Sequence, residues 1–239
     1  MKFVKTFFVI VFSLSTINAF ATDIDEVLQK YVDILGGREL MDSVNSELAK
    51  GKFEVMGFSG NILIYTNKDL RMLIVNVQIG EGDSRSVLMR DYISPDKAFT
   101  FQMGTTVNHS AEEIETRLRN ALDENIYKLA VGYKELGYSA EMEAVETELG
   151  NVYNITFSKN GEPKKLLVFD AHSGYLIRSE DYENELSVNY SDYKEVGSSG
   201  LTRPFKLKQK IKNFVTDITI EEILFNQPEP EGLSEVPEQ

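Results

Sequence analysis

Apolar residues recur at helical spacing in two stretches of the chain and at strand spacing almost everywhere else. In the first stretch Ile24, Val27, Leu28, Tyr31, Val32 and Leu35 follow one another at intervals of mostly three and four, the pattern of an amphipathic helix. Asp23, Asp25 and Glu26 crowd its first turn, where the helix dipole favours acids. Gly36-Gly37 is a stop signal, and Leu40, Met41 and Val44 form a short second piece. The other stretch runs from 111 to 130. Ser110 and Glu113 make a capping box, and Ile114, Leu118, Ala121, Leu122, Ile126 and Leu129 make one stripe. A helix with a single apolar side is expected to lie on a sheet.

Between and after these helices the period drops to two. Phe53, Val55 and Gly57 alternate with polar neighbours, as do Phe99, Phe101 and Met103, then Tyr153, Ile155 and Phe157, then Leu186, Val188 and Tyr190. Phe205, Leu207 and Ile211 oppose Lys206, Lys208, Lys210 and Lys212. Ile218 and Ile220 followed by Ile223 and Phe225 imply a phase slip of the bulge type. Turn signals punctuate the strands at Ser59-Gly60-Asn61, Gly80 to Asp83, Asn160-Gly161, His172-Ser173-Gly174 and Gly197 to Gly200. Consecutive hairpins predict an antiparallel sheet of about ten strands, a size at which sheets curl or split. The segment 70–79 is apolar on both faces, so both of its sides are expected to be covered. The expected fold class is mainly β (α+β): a curled antiparallel sheet with helices against one face. No linker or repeat divides it, so 22–239 reads as one domain, with 227–239 a loose acidic tail.

The first 21 residues carry the features of a cleavable export signal. Lys2 and Lys5 precede an apolar run from Phe7 to Leu14, and Ala19-Phe20-Ala21 closes it. The run falls short of the roughly 20 residues that a spanning helix needs, so no transmembrane anchor is expected. The chain has no cysteine, which excludes a lipid-modified N-terminus and fits an exported protein that folds without disulfides. Loss of the two lysines takes the net charge from −13 to −15. Such a balance argues against nucleic acid as a partner, since phosphate binding needs a basic face.

Little in the sequence carries catalytic chemistry. His109 and His172 are the two histidines, and neither has a partner at metal-ligand spacing. Asp170-Ala171-His172-Ser173-Gly174 brings an acid, a base and a hydroxyl together. Neighbours in a tight turn point apart, however, and a triad needs convergence, so a hairpin turn is expected there. Paired carboxylates such as Glu112-Glu113 and Glu221-Glu222 are expected by chance among 38 acids. No cofactor is expected and no catalytic residue is assigned. The remaining positive feature is apolar. The candidate cavity lining is Phe53, Val55, Leu73, Val75, Val77, Phe99, Phe101, Met103, Tyr153 and Phe157, with Leu118 and Leu122 on helix 111–130 as its lid.

The order of segments resembles the LolA/LolB-like superfamily of outer-membrane lipoprotein-sorting proteins. Asp25-Glu26-Val27-Leu28 through Leu35-Gly36-Gly37 is similar to the start of such chains. Leu167-Val168-Phe169-Asp170, then Ser173-Gly174 and Tyr175-Leu176-Ile177-Arg178, resembles the family's Asp-x-x-Thr-Gly hairpin. Tyr190-Ser191-Asp192-Tyr193, Arg203-Pro204-Phe205 and Leu233-Ser234-Glu235-Val236-Pro237 resemble its later strands and ending. The resemblance implies an incomplete β-barrel closed by helices on its concave side, a periplasmic location and a hydrophobic cavity for acyl chains. Three functions follow as expectations. The first is a carrier or sensor of lipid or of the acyl chains of a lipoprotein. The second is a protein-binding accessory with a filled core and an envelope protein as partner. The third is a hydrolase working through carboxylates.

Overall fold

Helix α1 (Ile24–Ile34) starts where expected, with the Glu26 carboxylate accepting from the Asp23 amide at 3.4 Å. Gly36 and Gly37, at φ 120° and 83°, end it in backbone that other residues rarely adopt, and α2 (Arg38–Ser43) turns away from it. The computed structural model describes residues 23–68, 72–80, 86–118, 125–148 and 150–237. The expected export segment therefore lies outside the described residues.

Six strands follow: β1 (Ser46–Val55), β2 (Phe58–Asn67), β3 (Met72–Ile79), β4 (Ser86–Ile93), β5 (Ala98–Gln102) and β6 (Thr105–Asn108). Helices α3 (Ala111–Leu118) and α4 (Ile126–Gly132) come next. Seven strands complete the chain: β7 (Ser139–Thr147), β8 (Gly150–Lys159), β9 (Glu162–Asp170), β10 (Leu176–Asp181), β11 (Leu186–Glu195), β12 (Thr202–Ile211) and β13 (Phe214–Phe225). All thirteen form one antiparallel sheet in the order β6-β5-β4-β3-β2-β1-β13-β12-β11-β10-β9-β8-β7. Two chain-order meanders are thus stitched together by β1 and β13. The sheet curls without closing, an incomplete barrel with helices on its concave face.

Three details depart from the sequence reading. Among the described residues the sheet has thirteen strands rather than about ten, because turns such as Met56-Gly57 and Met103-Gly104 spend only two residues and carry little turn chemistry. Ser59-Gly60-Asn61 is not a turn but lies inside β2. Gly60 is small because a Cβ there would meet the Gln78 carbonyl at 2.1 Å and Phe53 Cε1 at 2.7 Å, so the glycine marks a close approach of β3. Helix 111–130 is not continuous. Asn125 has extended backbone and caps α4 through the Lys128 amide, which starts a new helix. The phase slip in β13 is present: Lys50 pairs with Glu222 and Gly51 with Ile220, leaving Glu221 extra.

Cross-strand partners share a face of the sheet, so the register traces each face from strand to strand. On one face Leu207 opposes Ile218, and Ile218 opposes Phe53. Ile62, two residues from the Phe53 partner Gly60, opposes Val77. In the other direction Leu207 opposes Tyr190, and Val188 leads through Ser179 and Leu167 to Ile155. This is the inner face. At one end α1 and α4 cover it, with Val27, Leu28, Tyr31 and Leu129 packed on Ile155, Phe157, Leu167 and Phe169. At the other end Ile114 and Leu118 of α3 sit on Leu73, Ile93 and Ala98.

The outer face is also partly buried. Leu48, Tyr65, Ile74, Tyr92 and Phe99 form a cluster that Leu233 covers. The segment 227–237 is held down rather than loose. Arg90, itself buried, donates to the carbonyls of Gly232 and Glu235 at 2.8 and 2.7 Å and to Asn76 Oδ1 at 2.9 Å. Ser46 and Tyr65 both donate to the Gln227 carbonyl. Both sides of 72–79 are covered, as its two apolar faces require.

Candidate functional site

A cavity of about 510 Å³ opens between the helices and the inner face of the sheet. Each element contributes what its position dictates. The C-terminal end of α1 supplies Tyr31 and Leu35, and α2 supplies Met41 and Asp42. The entry to β1 supplies Val44 to Glu47, and β12 supplies Arg203 and Pro204. Helix α4 forms a wall with Ile126, Tyr127, Val131 and Gly132, and Glu135 and Leu136 follow it.

The walls are mostly apolar, and Arg203 and Tyr127 among them are each paired with a carboxylate. Arg203 Nε meets Glu47 Oε2 at 3.0 Å. Its other nitrogen Nη1 donates to the Thr202 carbonyl at 3.0 Å and to Met41 Sδ at 3.3 Å, and the guanidinium lies 5.1 Å from the Phe225 ring centre. At the mouth the Tyr127 hydroxyl donates to Asp42 Oδ1 at 2.7 Å, joining α4 to α2. Burial, followed by the Asp42 carboxylate, pushes the Tyr127 phenol up. Burial also pushes up the phenol of Tyr31. Both tyrosines therefore stay neutral over the physiological range and act as apolar wall with a polar tip.

The residues expected to line a cavity are distributed differently. Phe53, Val55, Val75 and Val77 face inward on the central strands. Leu73 and Leu118 pack together under α3, while Tyr153 and Phe157 lie under α1 and α4. Phe99 and Phe101 belong to the outer face beneath the C-terminal segment, and Met103 is exposed at the β5–β6 turn. Leu122 lies outside the described residues. None of the eleven described positions borders the 510 Å³ cavity. Alternation tells which residues share a face but not which face is covered by what. The α1 stripe did contain the signal for Tyr31 and Leu35, whereas Arg203, Glu47 and the α4 wall meet only through the curl of the sheet.

The Asp170–Gly174 segment is the expected turn. Ser173 donates to Asp170 Oδ1 through both its amide and its hydroxyl, each at 2.6 Å, and Gly174 has φ 81°. The Ser173 hydroxyl and amide hold the Asp170 carboxyl below the usual carboxylate range. A pKa depressed in the folded chain adds stability above the unfolded value, and this is lost as pH falls through the folded one. Asp170→Asn is thus expected to cost about 1 kcal/mol at neutral pH, a modest effect because solvent screens the group. The gap from the parent should narrow below about pH 4 in urea titrations at the two pH values. His109 is structural. Its Nε2 lies 3.0 Å from Thr100 Oγ1 and hydrogen-bonds with Arg117, which grips Asp91 at 2.7 and 2.9 Å and anchors α3. Among the described residues no group of three or more His, Asp or Glu is placed to hold a metal ion.

No family model matches the chain, and no curated protein does. Solved structures do match. A DUF1329 family protein from Desulfovibrio piger aligns over 89% of this chain and 97% of its own, with a TM-score of 0.50 at 8% identity. A LolA superfamily protein from Nitrosomonas europaea aligns over 87% and 96%, with a TM-score of 0.41 at 10% identity. The fold is shared with the Desulfovibrio piger DUF1329 family protein. LprF from Mycobacterium bovis aligns over 87% and 94% at a TM-score of 0.33 and 9% identity. The half-barrel is the β1–β13 sheet, and the helices on its inner face are α1, α3 and α4. No helix among the described residues is long and apolar enough to cross a membrane.

Proposed function

We propose that this LolA-like chain is a periplasmic carrier or sensor that takes an acyl chain of a lipid or of a lipid-modified protein into the cavity between α1, α2, α4 and the inner sheet face. The observation that carries the reading is the cavity itself. Its volume falls within the roughly 300–1,000 Å³ of small-molecule sites. Its walls are mostly apolar, its one guanidinium is already matched by Glu47, and the Lys68 ammonium donates to the Asp42 carbonyl. A cargo headed by a strong charge would find no unmatched counter-charge in Arg203, whereas a hydrocarbon chain needs none. An acyl chain that buries about ten methylenes gains ~8 kcal/mol, enough to offset the several kcal/mol lost on association.

The test begins with lipid mass spectrometry on protein purified from its native compartment without detergent, beside a mock purification. A stoichiometric acyl species is the expected result. Val131→Trp projects an indole from α4 into the cavity and should weaken binding of a fluorescent fatty acid by about tenfold or more, with the circular dichroism unchanged. A blank in the mass spectrum, together with equal fatty-acid binding by parent and variant, would move the weight to a protein-binding accessory with a filled core.

A further inference from the structure

Ten large apolar side chains stand exposed among the described residues, and six of them, besides Tyr182 in the β10–β11 turn, crown hairpin turns at one end of the sheet. Met56 and Phe58 flank the β1–β2 turn and are 74% and 66% exposed. Ile211, Phe214 and Val215 flank the β12–β13 turn, with Phe214 56% exposed. Met103, 76% exposed, tops the β5–β6 turn. The register puts these turns at the same end. Val55 opposes both Phe58 and Thr216, and Ile211 opposes Phe214. The strands β2, β1, β13 and β12 are consecutive, so the first two hairpin tips stand about 10 Å apart.

We propose that this hairpin rim is a membrane-docking surface whose occupant is the headgroup and upper acyl region of a lipid bilayer. Scattered exposed apolar residues need no explanation, but six on the tips of one end are a pattern. Their shape selects the partner. Projecting tips separated by turns do not make the flat patch of about 800 Å² per side that a stable protein interface buries. A fluid surface accepts tips of any spacing, to a depth of about 5–10 Å. The charges at the tips agree. Lys210 and Lys212 belong to the β12–β13 hairpin, and neither has an ion pair among the described residues. Their ammonium groups would reach lipid phosphates while the stems stay with the apolar tips. The chain as a whole carries −13, so apolar insertion rather than long-range attraction drives the docking.

The rim is distinct from the cavity mouth. Glu47, Thr66 and Arg203 line the mouth at the opposite ends of β1, β2 and β12, about 30 Å away along the strands. Docking therefore leaves the mouth facing the aqueous side. Phe58, Ile211 and Phe214 share the inner face with Phe53, Leu207 and Ile218, so an apolar surface runs inward from the rim.

The experiment is flotation of the mature chain with phosphatidylcholine vesicles at low and high salt. The parent should float with the vesicles at both, since neutral lipid and apolar insertion are insensitive to screening. Phe58→Ser with Phe214→Ser should reduce partitioning by roughly tenfold or more. Leu40→Ser removes an exposed apolar residue on α2, away from the rim, and should float like the parent. Unchanged circular dichroism and thermal midpoint would show that the rim variant folds. A parent that stays in the buffer, or a rim variant that floats as well as the parent, overturns the proposal. So does light scattering that shows the parent self-associating and the rim variant monomeric without vesicle binding, which would make a second copy the occupant. None of these results touches fatty-acid binding at the other end of the sheet.

Discussion

Replacing Leu233 with alanine is expected to lower the unfolding free energy by about 3 kcal/mol, the usual cost of truncating a buried leucine whose site relaxes only in part. Leu233 is 6% exposed and covers Tyr65 and Phe99, which are fully buried. Ending the chain after Gln227 should cost more. It removes Leu233, and it also takes two of the three acceptors of the Arg90 guanidinium. Burial already pulls the Arg90 pKa down, so the group tolerates the loss of partners poorly. Urea unfolding of the parent, the point variant and the shortened chain measures this directly. A dye that reports exposed apolar surface should brighten with the shortened chain. An unchanged urea midpoint on shortening would show that the segment rests on the sheet without supporting it.

The second large effect is expected at the ion pair in the cavity wall. Arg203 and Glu47 side chains are 11% and 28% exposed, so each has given up most of its hydration. Arg203→Met leaves Glu47 without its cation and the Thr202 carbonyl without one donor, at a cost of about 2 kcal/mol. Removing both charges together, as Arg203→Met with Glu47→Gln, should recover at least half of that, because a largely buried pair repays little more than its own desolvation. The double-mutant cycle by thermal or urea unfolding supplies the number. If the cavity takes hydrocarbon, the doubly neutral variant keeps its affinity for a fluorescent fatty acid. A sharp loss of affinity in that variant alone would mean that the pair contacts a polar part of the cargo.

The amphipathic start of α1, the Ser110–Glu113 capping box, the glycine stop after Leu35 and the turn at Asp170–Gly174 were all legible in the sequence. Each depends on residues within four positions of one another, and local hydrogen bonds and the helical period decide such features. The bulge near Glu221 was legible for the same reason, as a slip in the spacing of Ile218, Ile220, Ile223 and Phe225. The break before α4 was misread, because the apolar stripe continued through 121–126 and outweighed Asn125 as a cap. Gly60 was misread because a close backbone approach and a turn place the same demand on a glycine.

The sequence by itself determined that the chain alternates through an antiparallel sheet and that two helical segments each have one side to bury. Phe99 and Phe101 show where that reach ended: their alternation was correct, but the C-terminal segment rather than the helices covers them. Only the tertiary structure decided which face is inner, that Arg203 meets Glu47 across 156 residues, and that Phe58 and Phe214 crown the same end of the sheet. The period of a strand fixes which side chains share a face, whereas the curl of the sheet and the placement of its covers arise from contacts between residues far apart in the chain.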